Sequence, residues 1–252
     1  LYKNEKDPQI EKDVKKVEEL CIQFEKKYRN KDFISTSKKI AQALREYQSL
    51  SDSSLFKPWL YFYLRKDINS NDSFTHAQST KIEQRINAAS NRVTFFTLEL
   101  GKLPSSIKKQ YLEDRSLLNF SYFLEKIFIQ AKYMLSEKEE QLLVLLTQTS
   151  ETMWEDVQKK LLGNQVVSLD GKDIPLSEAK DRLPDLPIKK RHELADKINA
   201  VAKSISYLAE AELNAIYNFR KVTDEQRGYE TPYSSSVLSK ENTEKEIKEF
   251  TE

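Results

Sequence analysis

Apolar residues recur along much of the chain at alternating intervals of four and three, which is the spacing of one face of an α-helix. The pattern is clear over residues 10–28 and again over residues 82–100. The second stretch predicts one long helix, and Gly101 directly after it is a typical helix stop. We therefore expect long helices whose apolar faces pack together.

Other local signals mark where further helices begin and end. Pro58 should lie in the first turn of an aromatic helix, since proline is favoured there. Ser136 followed by Glu139 has the pattern of a capping box, and so has Thr243 followed by Glu246. The longest helix should begin at Pro187 and run to about residue 219, before a connection over residues 223–239.

One segment departs from the helical pattern. Asp170-Gly171 separates two short β-prone runs, residues 166–169 and 172–175. Asp-Gly in that position is typical of a tight hairpin turn, because both central residues need positive φ. The sequence thus predicts an all-α fold of long antiparallel helices with one short β-hairpin near residues 166–175. We divide it into an N-terminal helical domain, residues 1–163, and a hairpin with a long helix, residues 164–252.

Composition agrees with this fold class and excludes several functions. Only 4 Gly and 7 Pro occur, while 12 Phe, 12 Tyr and 2 Trp require an extensive buried core. The net charge of +1 comes from interleaved charges, so we expect no nucleic-acid binding. No apolar run approaches the length of a membrane span, and we expect no membrane partner. The lone Cys21 cannot form an internal disulfide, which favours a cytoplasmic setting.

The residues of the chain do not assemble a recognisable catalytic site. Its two histidines, His76 and His192, are too far apart in sequence for the paired motif of zinc peptidases. His192-Glu193 begins like that motif, but the fifth position holds Asp196; a solvated first helical turn is the favoured interpretation. Cys21 occupies an inward helical position, where an inert thiol is usual.

Two segments retain a binding interpretation beside a structural one. The aromatic helix over residues 59–63 could stack on a ligand, although core packing is favoured. Arg227 and Tyr229 flank Gly228 in the predicted connection, where binding residues often lie. The favoured alternative is that Gly228 supplies positive φ and that Arg227 pairs with a nearby helix end. We retain Arg227 and Tyr229 as candidate substrate-binding residues.

Several segments in order resemble the N-terminal half of oligoendopeptidase F-like proteins, in the M3 family of zinc oligopeptidases. No single segment is diagnostic, and the resemblance comes from their order over nearly the whole chain. The segments are Phe56-Lys57-Pro58-Trp59 with Arg65-Lys66, Phe95-Phe96-Thr97-Leu98-Glu99-Leu100, Tyr122-Phe123-Leu124-Glu125, residues 135–140 with Leu142 and Leu143, the hairpin with Pro175-Leu176-Ser177-Glu178-Ala179, Leu213-Asn214-Ala215-Ile216, and Arg227-Gly228-Tyr229.

This resemblance implies a parent zinc metalloendopeptidase that hydrolyses short peptides inside a helical clamshell. The family's His-Glu-x-x-His motif and its later glutamate ligand belong to the C-terminal half, so no catalytic or metal residue is carried over to this chain. We expect a channel wall or lid that binds no zinc and is inactive alone. Its partners would be oligopeptides and the C-terminal catalytic half, and an exposed apolar face could drive homo-oligomer formation. The alternative is a stand-alone helical interaction or scaffold protein.

Overall fold

The chain folds almost entirely into helices, as the sequence predicts. The computed structural model describes residues 1–50, 55–69 and 71–251. The α-helices of this part are α1 (Pro8–Tyr28), α2 (Ser37–Leu50), α3 (Lys57–Ile68), α4 (Ser73–Asn91), α5 (Thr94–Gly101), α6 (Ser105–Glu113), α7 (Ser121–Gln130), α8 (Glu137–Thr147), α9 (Met153–Gly163), α10 (Leu176–Arg182), α11 (Ile188–Ser204), α12 (Ser206–Arg227), α13 (Ser234–Ser239) and α14 (Glu244–Thr251). Short 3₁₀ segments cover Arg115–Phe120, Ala131–Tyr133 and Leu183–Asp185, and a π-helical turn covers Gln148–Thr152.

The hairpin is the β-structure of the described residues, and its turn confirms the sequence prediction. Strand β1 (Val166–Leu169) pairs antiparallel with β2 (Lys172–Pro175), with Val167 opposite Ile174. Asp170 has φ +51° and Gly171 φ +81°, the left-handed pair that a two-residue turn requires.

The long helix predicted over residues 82–100 is interrupted. Helix α4 ends at Asn91 and α5 begins at Thr94, and the N–H of Val93 bonds to the carbonyl of Ser90 three residues back. The side-chain amide of Gln141 donates to the Asn91 carbonyl at 2.8 Å, which gives that carbonyl a partner outside the helix. The apolar spacing continues across this tightened turn, so periodicity alone does not reveal the break.

The helix predicted from Pro187 to residue 219 is also two helices, with the break at Ile205. The hydroxyls of Ser204 and Ser206 donate to the carbonyls of Val201 and Lys203, each three residues back. Such bonds compete with the helical ladder and bend helices. Helix α12 then runs on to Arg227, so the connection predicted over residues 223–239 was wrong at both ends: helix fills its start, and α13 fills its end.

The described residues group into two compact units. Unit 1 comprises residues 1–62, 78–145 and 221–252, and unit 2 comprises residues 63–77 and 146–220. The main core of unit 1 is rich in aromatic rings, whereas the core of unit 2 is a small aliphatic cluster beneath the hairpin. None of the helices described is long and apolar enough to cross a membrane.

Within unit 1, the first turn of α8 is held at several points. Ser136 and Glu139 form the predicted capping box. The Ser136 N–H donates to Glu139 Oε2 at 2.8 Å, and the Glu139 N–H donates to Ser136 Oγ at 3.4 Å. Arg29, just after α1, donates to both carboxylate oxygens of Glu137 at 2.6 and 3.1 Å. These contacts fix the start of α8 against α1, beside the candidate site described below.

Candidate functional site around Arg227 and Tyr229

Arg227 and Tyr229 lie at the C-terminal end of α12, on either side of Gly228. The Tyr229 N–H donates to the Asp224 carbonyl at 3.1 Å, and the Gly228 N–H donates to the Glu225 carbonyl at 3.2 Å. This pair of bonds is the Schellman pattern, which places Gly228 in the left-handed region at φ +75°. The glycine therefore supplies positive φ and reverses the direction of the chain after α12.

The guanidinium of Arg227 is committed to a two-point ion pair. Its Nη1 and Nη2 donate to Oε1 and Oε2 of Glu140, each at 2.7 Å, and Nη1 also donates to the Tyr133 carbonyl at 3.0 Å. Glu140 Oε1 accepts a further bond from the Leu135 N–H at 3.0 Å. With 24% and 17% of their side chains exposed, the two partners are largely removed from water. The pair ties the end of α12 to the first turn of α8.

Both members of this pair are held in their charged forms. Burial alone would raise the pKa of Glu140, but hydrogen bonds from Arg227 and from the Leu135 N–H outweigh it, and the net effect lowers that pKa. The hydrogen bonds that Arg227 donates to Glu140 raise the pKa of Arg227, against the opposing effect of burial. A carboxylate held ionised in this way is a poor general acid or base near neutral pH. The arrangement is therefore suited to structure or binding, not to proton transfer.

Tyr229 stacks on a second tyrosine. The rings of Tyr229 and Tyr133 are 4.1 Å apart at their centroids and 20° from parallel, and Lys132 Nζ lies 4.3 Å from the Tyr133 centroid. Burial raises the pKa of Tyr229, so its phenol stays protonated across the physiological range. The stacked pair presents a flat surface with a hydroxyl on each ring.

The site opens as a cavity of about 330 Å³, which we call the tyrosine cleft. Its walls come from α5, the end of α7, the start of α8 and the end of α12, all in unit 1. The polar side chains around it are those of Thr94, Thr97, Gln130, Tyr133, Glu140, Arg227 and Tyr229. Its volume is within the range of small-molecule sites.

Sequence reasoning found two residues of this cleft and missed the others. Glu140 is 87 positions from Arg227, and Tyr133 is 96 positions from Tyr229. No local spacing joins such pairs. The one available signal was the capping box at Ser136, which places acidic residues in the first turn of α8 without naming their partner.

Neither histidine lines the tyrosine cleft. His192 and Glu193 are exposed in the first turns of α11, while the next residue, Leu194, is buried. This confirms the solvated interpretation of that segment. His76 lies in α4 and is partly buried. Within the described part of the chain, no three His, Cys, Asp or Glu side chains cluster closely enough to hold a metal ion. These residues do not fit a zinc site.

The remaining candidate groups have structural roles. Cys21 is buried in the core of unit 1, which confirms its inward helical position, and burial raises the pKa of its thiol to about 11, which disfavours the reactive thiolate. In α3, Pro58 lies in the first turn as expected, and Tyr61 and Phe62 are buried. Trp59 and Tyr63 are exposed, so the aromatic helix is divided between core and surface.

Comparisons with known proteins give the fold a context. The family model for the N-terminal part of M3 peptidases, described as oligopeptidase F, matches residues 99–164. No curated protein matches the chain significantly. The crystal structure of oligoendopeptidase F from Enterococcus faecium is similar, with a TM-score of 0.74 and 16% identity over 91% of this chain. A protein from Chlamydophila abortus described as a candidate peptidase matches 81% of the chain with a TM-score of 0.54 and 14% identity.

Both matched structures extend well beyond the part that this chain covers. The chain spans 46% of the length of the Enterococcus faecium protein and 35% of that of the Chlamydophila abortus protein. The family segment includes α7, α8 and α9, and so contains Tyr133 and Glu140 of the tyrosine cleft. Together the comparisons confirm the resemblance seen in the sequence: this chain has the fold of an N-terminal half of an M3 oligoendopeptidase, and it carries an oligopeptidase F segment at residues 99–164.

Proposed function

We propose that this chain is the N-terminal part of a zinc-dependent oligoendopeptidase and forms one wall or lid of its peptide channel. The observation that carries this proposal is the fold match over 91% of this chain but only 46% of oligoendopeptidase F, together with the oligopeptidase F segment. In this proposal residues 1–163 form a helical domain, and residues 164–252 lead toward the catalytic half.

The chemistry of peptide hydrolysis would belong to residues outside this chain. A catalytic zinc needs three protein ligands and an open position for water, and no suitable cluster exists among the described residues. The contribution of this chain would be physical. Helices packed on an aromatic core are stiff, and a stiff wall narrows a channel so that unfolded oligopeptides enter and bulk water is excluded.

Arg227 would act in this wall mainly by holding the end of α12 against α8. Its guanidinium already satisfies Glu140 and the Tyr133 carbonyl, which leaves little of it for a substrate. Tyr229 is the better candidate for substrate contact, because no hydrogen bond to its hydroxyl occurs among the described residues and its ring borders the tyrosine cleft.

The proposal is tested by expressing two proteins: this 252-residue chain, and the same chain with the residues encoded downstream of it. Both are assayed with an internally quenched fluorescent peptide, with and without a zinc chelator. We expect chelator-sensitive cleavage by the longer protein and none by the shorter. Chelator-sensitive turnover by the 252-residue chain would overturn the assignment of catalysis to the other half.

The second candidate is a helical interaction or scaffold domain. The observation that favours it is a row of exposed leucines on α8, namely Leu142, Leu145 and Leu146. Such a row suits a protein partner, and it equally suits a catalytic half. The downstream coding sequence separates the two: a His-Glu-x-x-His segment supports the peptidase, and a stop codon after residue 252 supports the scaffold.

A further inference from the structure

A second cavity adjoins the tyrosine cleft in unit 1. It also measures about 330 Å³ and lies between α7 and the α13–α14 segment; we call it the α7–α13 groove. Gln130 and Tyr133 line both cavities, so the two meet at the end of α7. A single elongated ligand could therefore occupy both.

The tyrosine cleft offers unused hydrogen-bonding groups. Among the hydrogen bonds of the described residues, none involves the side chains of Thr94 or Gln130 or the hydroxyl of Tyr229. Gln130 is exposed, and its amide provides one acceptor and two donors. A peptide main chain presents alternating N–H and C=O groups, which is the complement of such a mixed set.

The α7–α13 groove has a different character. Its walls include Ile129, Val237 and Leu238, and Ile129 is 46% exposed. An exposed apolar residue at the mouth of a cavity gains when an apolar side chain covers it. This half is therefore suited to an aliphatic side chain.

Charged groups around both cavities already have polar partners. In the cleft, Arg227 is bound by Glu140. In the groove, Lys126 lies 3.6 Å from Glu241, and the Glu244 carboxylate accepts a hydrogen bond from Ser234. A charged ligand group would have to compete with these partners, whereas an uncharged ligand would not.

From these four observations we propose that the cleft and the groove form one binding site for an extended, uncharged peptide segment. The main chain lies along Thr94, Gln130 and Tyr229, and one aliphatic side chain enters the groove beside Ile129. The site deepens the proposed function, on which it rests for the identification of the bound peptide as a substrate. Binding itself requires only this chain.

The test uses tripeptides with acetylated and amidated ends, so that the termini carry no charge. The isotope-labelled 252-residue chain is titrated with acetyl-Ala-Leu-Ala-amide and followed by the NMR shifts of its backbone amides. We expect saturable shifts at the end of α7, at Tyr229 and in α13. The Leu peptide should bind about tenfold more tightly than acetyl-Ala-Ala-Ala-amide, because only its side chain fills the groove. An Asp peptide in its place should bind no better than the Ala peptide.

Two substitutions probe the two halves separately. Gln130→Ala removes one hydrogen-bonding group and should weaken both the Leu and the Ala peptides about fivefold, which corresponds to one net hydrogen bond. Ile129→Ser should weaken only the Leu peptide and so reduce its preference over Ala. Matched controls are Gln226→Ala and Leu118→Ser, at exposed positions that line neither cavity.

The outcomes are separable from those of the peptidase assay. Absence of saturable shifts with the Leu peptide, or equal weakening by Ile129→Ser and Leu118→Ser, would overturn the site whatever the activity of the longer protein. Saturable binding with the expected variant pattern would establish the site even if the longer protein hydrolysed nothing.

Discussion

The cores of the two units are built on different plans. In unit 1, Phe96 is fully buried at the centre of a ring cluster, with centroids 4.6 Å from Tyr47, 5.0 Å from Phe33 and 5.2 Å from Phe24. In unit 2, the core is a small aliphatic group beneath the hairpin: Val167, Leu176, Ala179, Leu194 and Ile198.

The difference lies in the distance along the chain over which each core is assembled. The unit 2 cluster comes from a single stretch between residues 167 and 198, whereas the unit 1 cluster draws on residues from 17 to 127. A core made from distant segments positions those segments relative to one another. Buried residues of α5 and α7 belong to the unit 1 cluster, so this core fixes two of the helices that line the tyrosine cleft. The other two, α8 and α12, are joined by the Glu140–Arg227 ion pair.

The largest effect is expected from Phe96→Ala. Removing a fully buried ring from the unit 1 cluster should lower the free energy of unfolding by about 4 kcal/mol, through lost transfer energy and an unfilled cavity. Urea unfolding monitored by far-UV circular dichroism gives the value. Phe250→Ala is the control, because that ring is 89% exposed and its loss should change stability by less than about 0.5 kcal/mol. Similar losses in both variants would contradict the role of Phe96 in the core.

The next largest effect is expected from Leu194→Ala, the corresponding truncation in the core of unit 2. Leu194 is buried beneath the hairpin, and its truncation should cost about 3 kcal/mol. Because this core is local, we expect the damage to stay local: amides of β1, β2 and α10 should exchange faster with solvent while those of α5 keep their protection. Hydrogen exchange read by NMR measures both. Equal loss of protection in α5 would mean that the two cores unfold together.

Features that depend on neighbouring residues could be predicted from the sequence, whereas the breaks within the long helices could not. The hairpin could be predicted because the two adjacent residues Asp170 and Gly171 favour the positive φ angles of its turn. Both capping boxes could be predicted because their partners are only three residues apart. The breaks after Asn91 and at Ile205 were missed. They depend on hydrogen bonds that leave the apolar spacing intact, one from a distant Gln141 and the others from Ser204 and Ser206.

The candidate site shows the same limit. Gly228 and its flanking residues could be identified from sequence, since a glycine that ends a helix has a recognisable reason to be there. The partners of Arg227 and Tyr229 could not, because Glu140 and Tyr133 are brought near only when unit 1 is assembled. Periodicity indicates which side of a helix is apolar, but it does not identify the helix that packs against it.

A smaller effect is expected from Glu140→Gln, which removes one charge from the pair that closes the tyrosine cleft. We expect a loss of about 2 kcal/mol at pH 7, between the values of exposed and of fully buried pairs. Because the folded-state pKa of Glu140 is lowered, its contribution is complete above the unfolded value and disappears as pH falls through the folded value. The difference between wild type and variant, from urea unfolding at pH 7 down to pH 3, should therefore narrow below about pH 4.5. A constant difference would contradict an ionic role for Glu140.

The smallest effect tests the local plan of unit 2 at its turn. Gly171 has φ +81° with open space where a Cβ would lie, so Gly171→Ala adds backbone strain without a clash. We expect a loss of about 1 kcal/mol in thermal unfolding. Gly171→Asn is the matched control, since asparagine tolerates the left-handed region and should cost less. If Ala and Asn cost the same, the positive φ of this position would not be what limits the stability of the turn. The turn would then be held by the packing of Val167 on α11, and the hairpin would be a product of the aliphatic core, not its local nucleus.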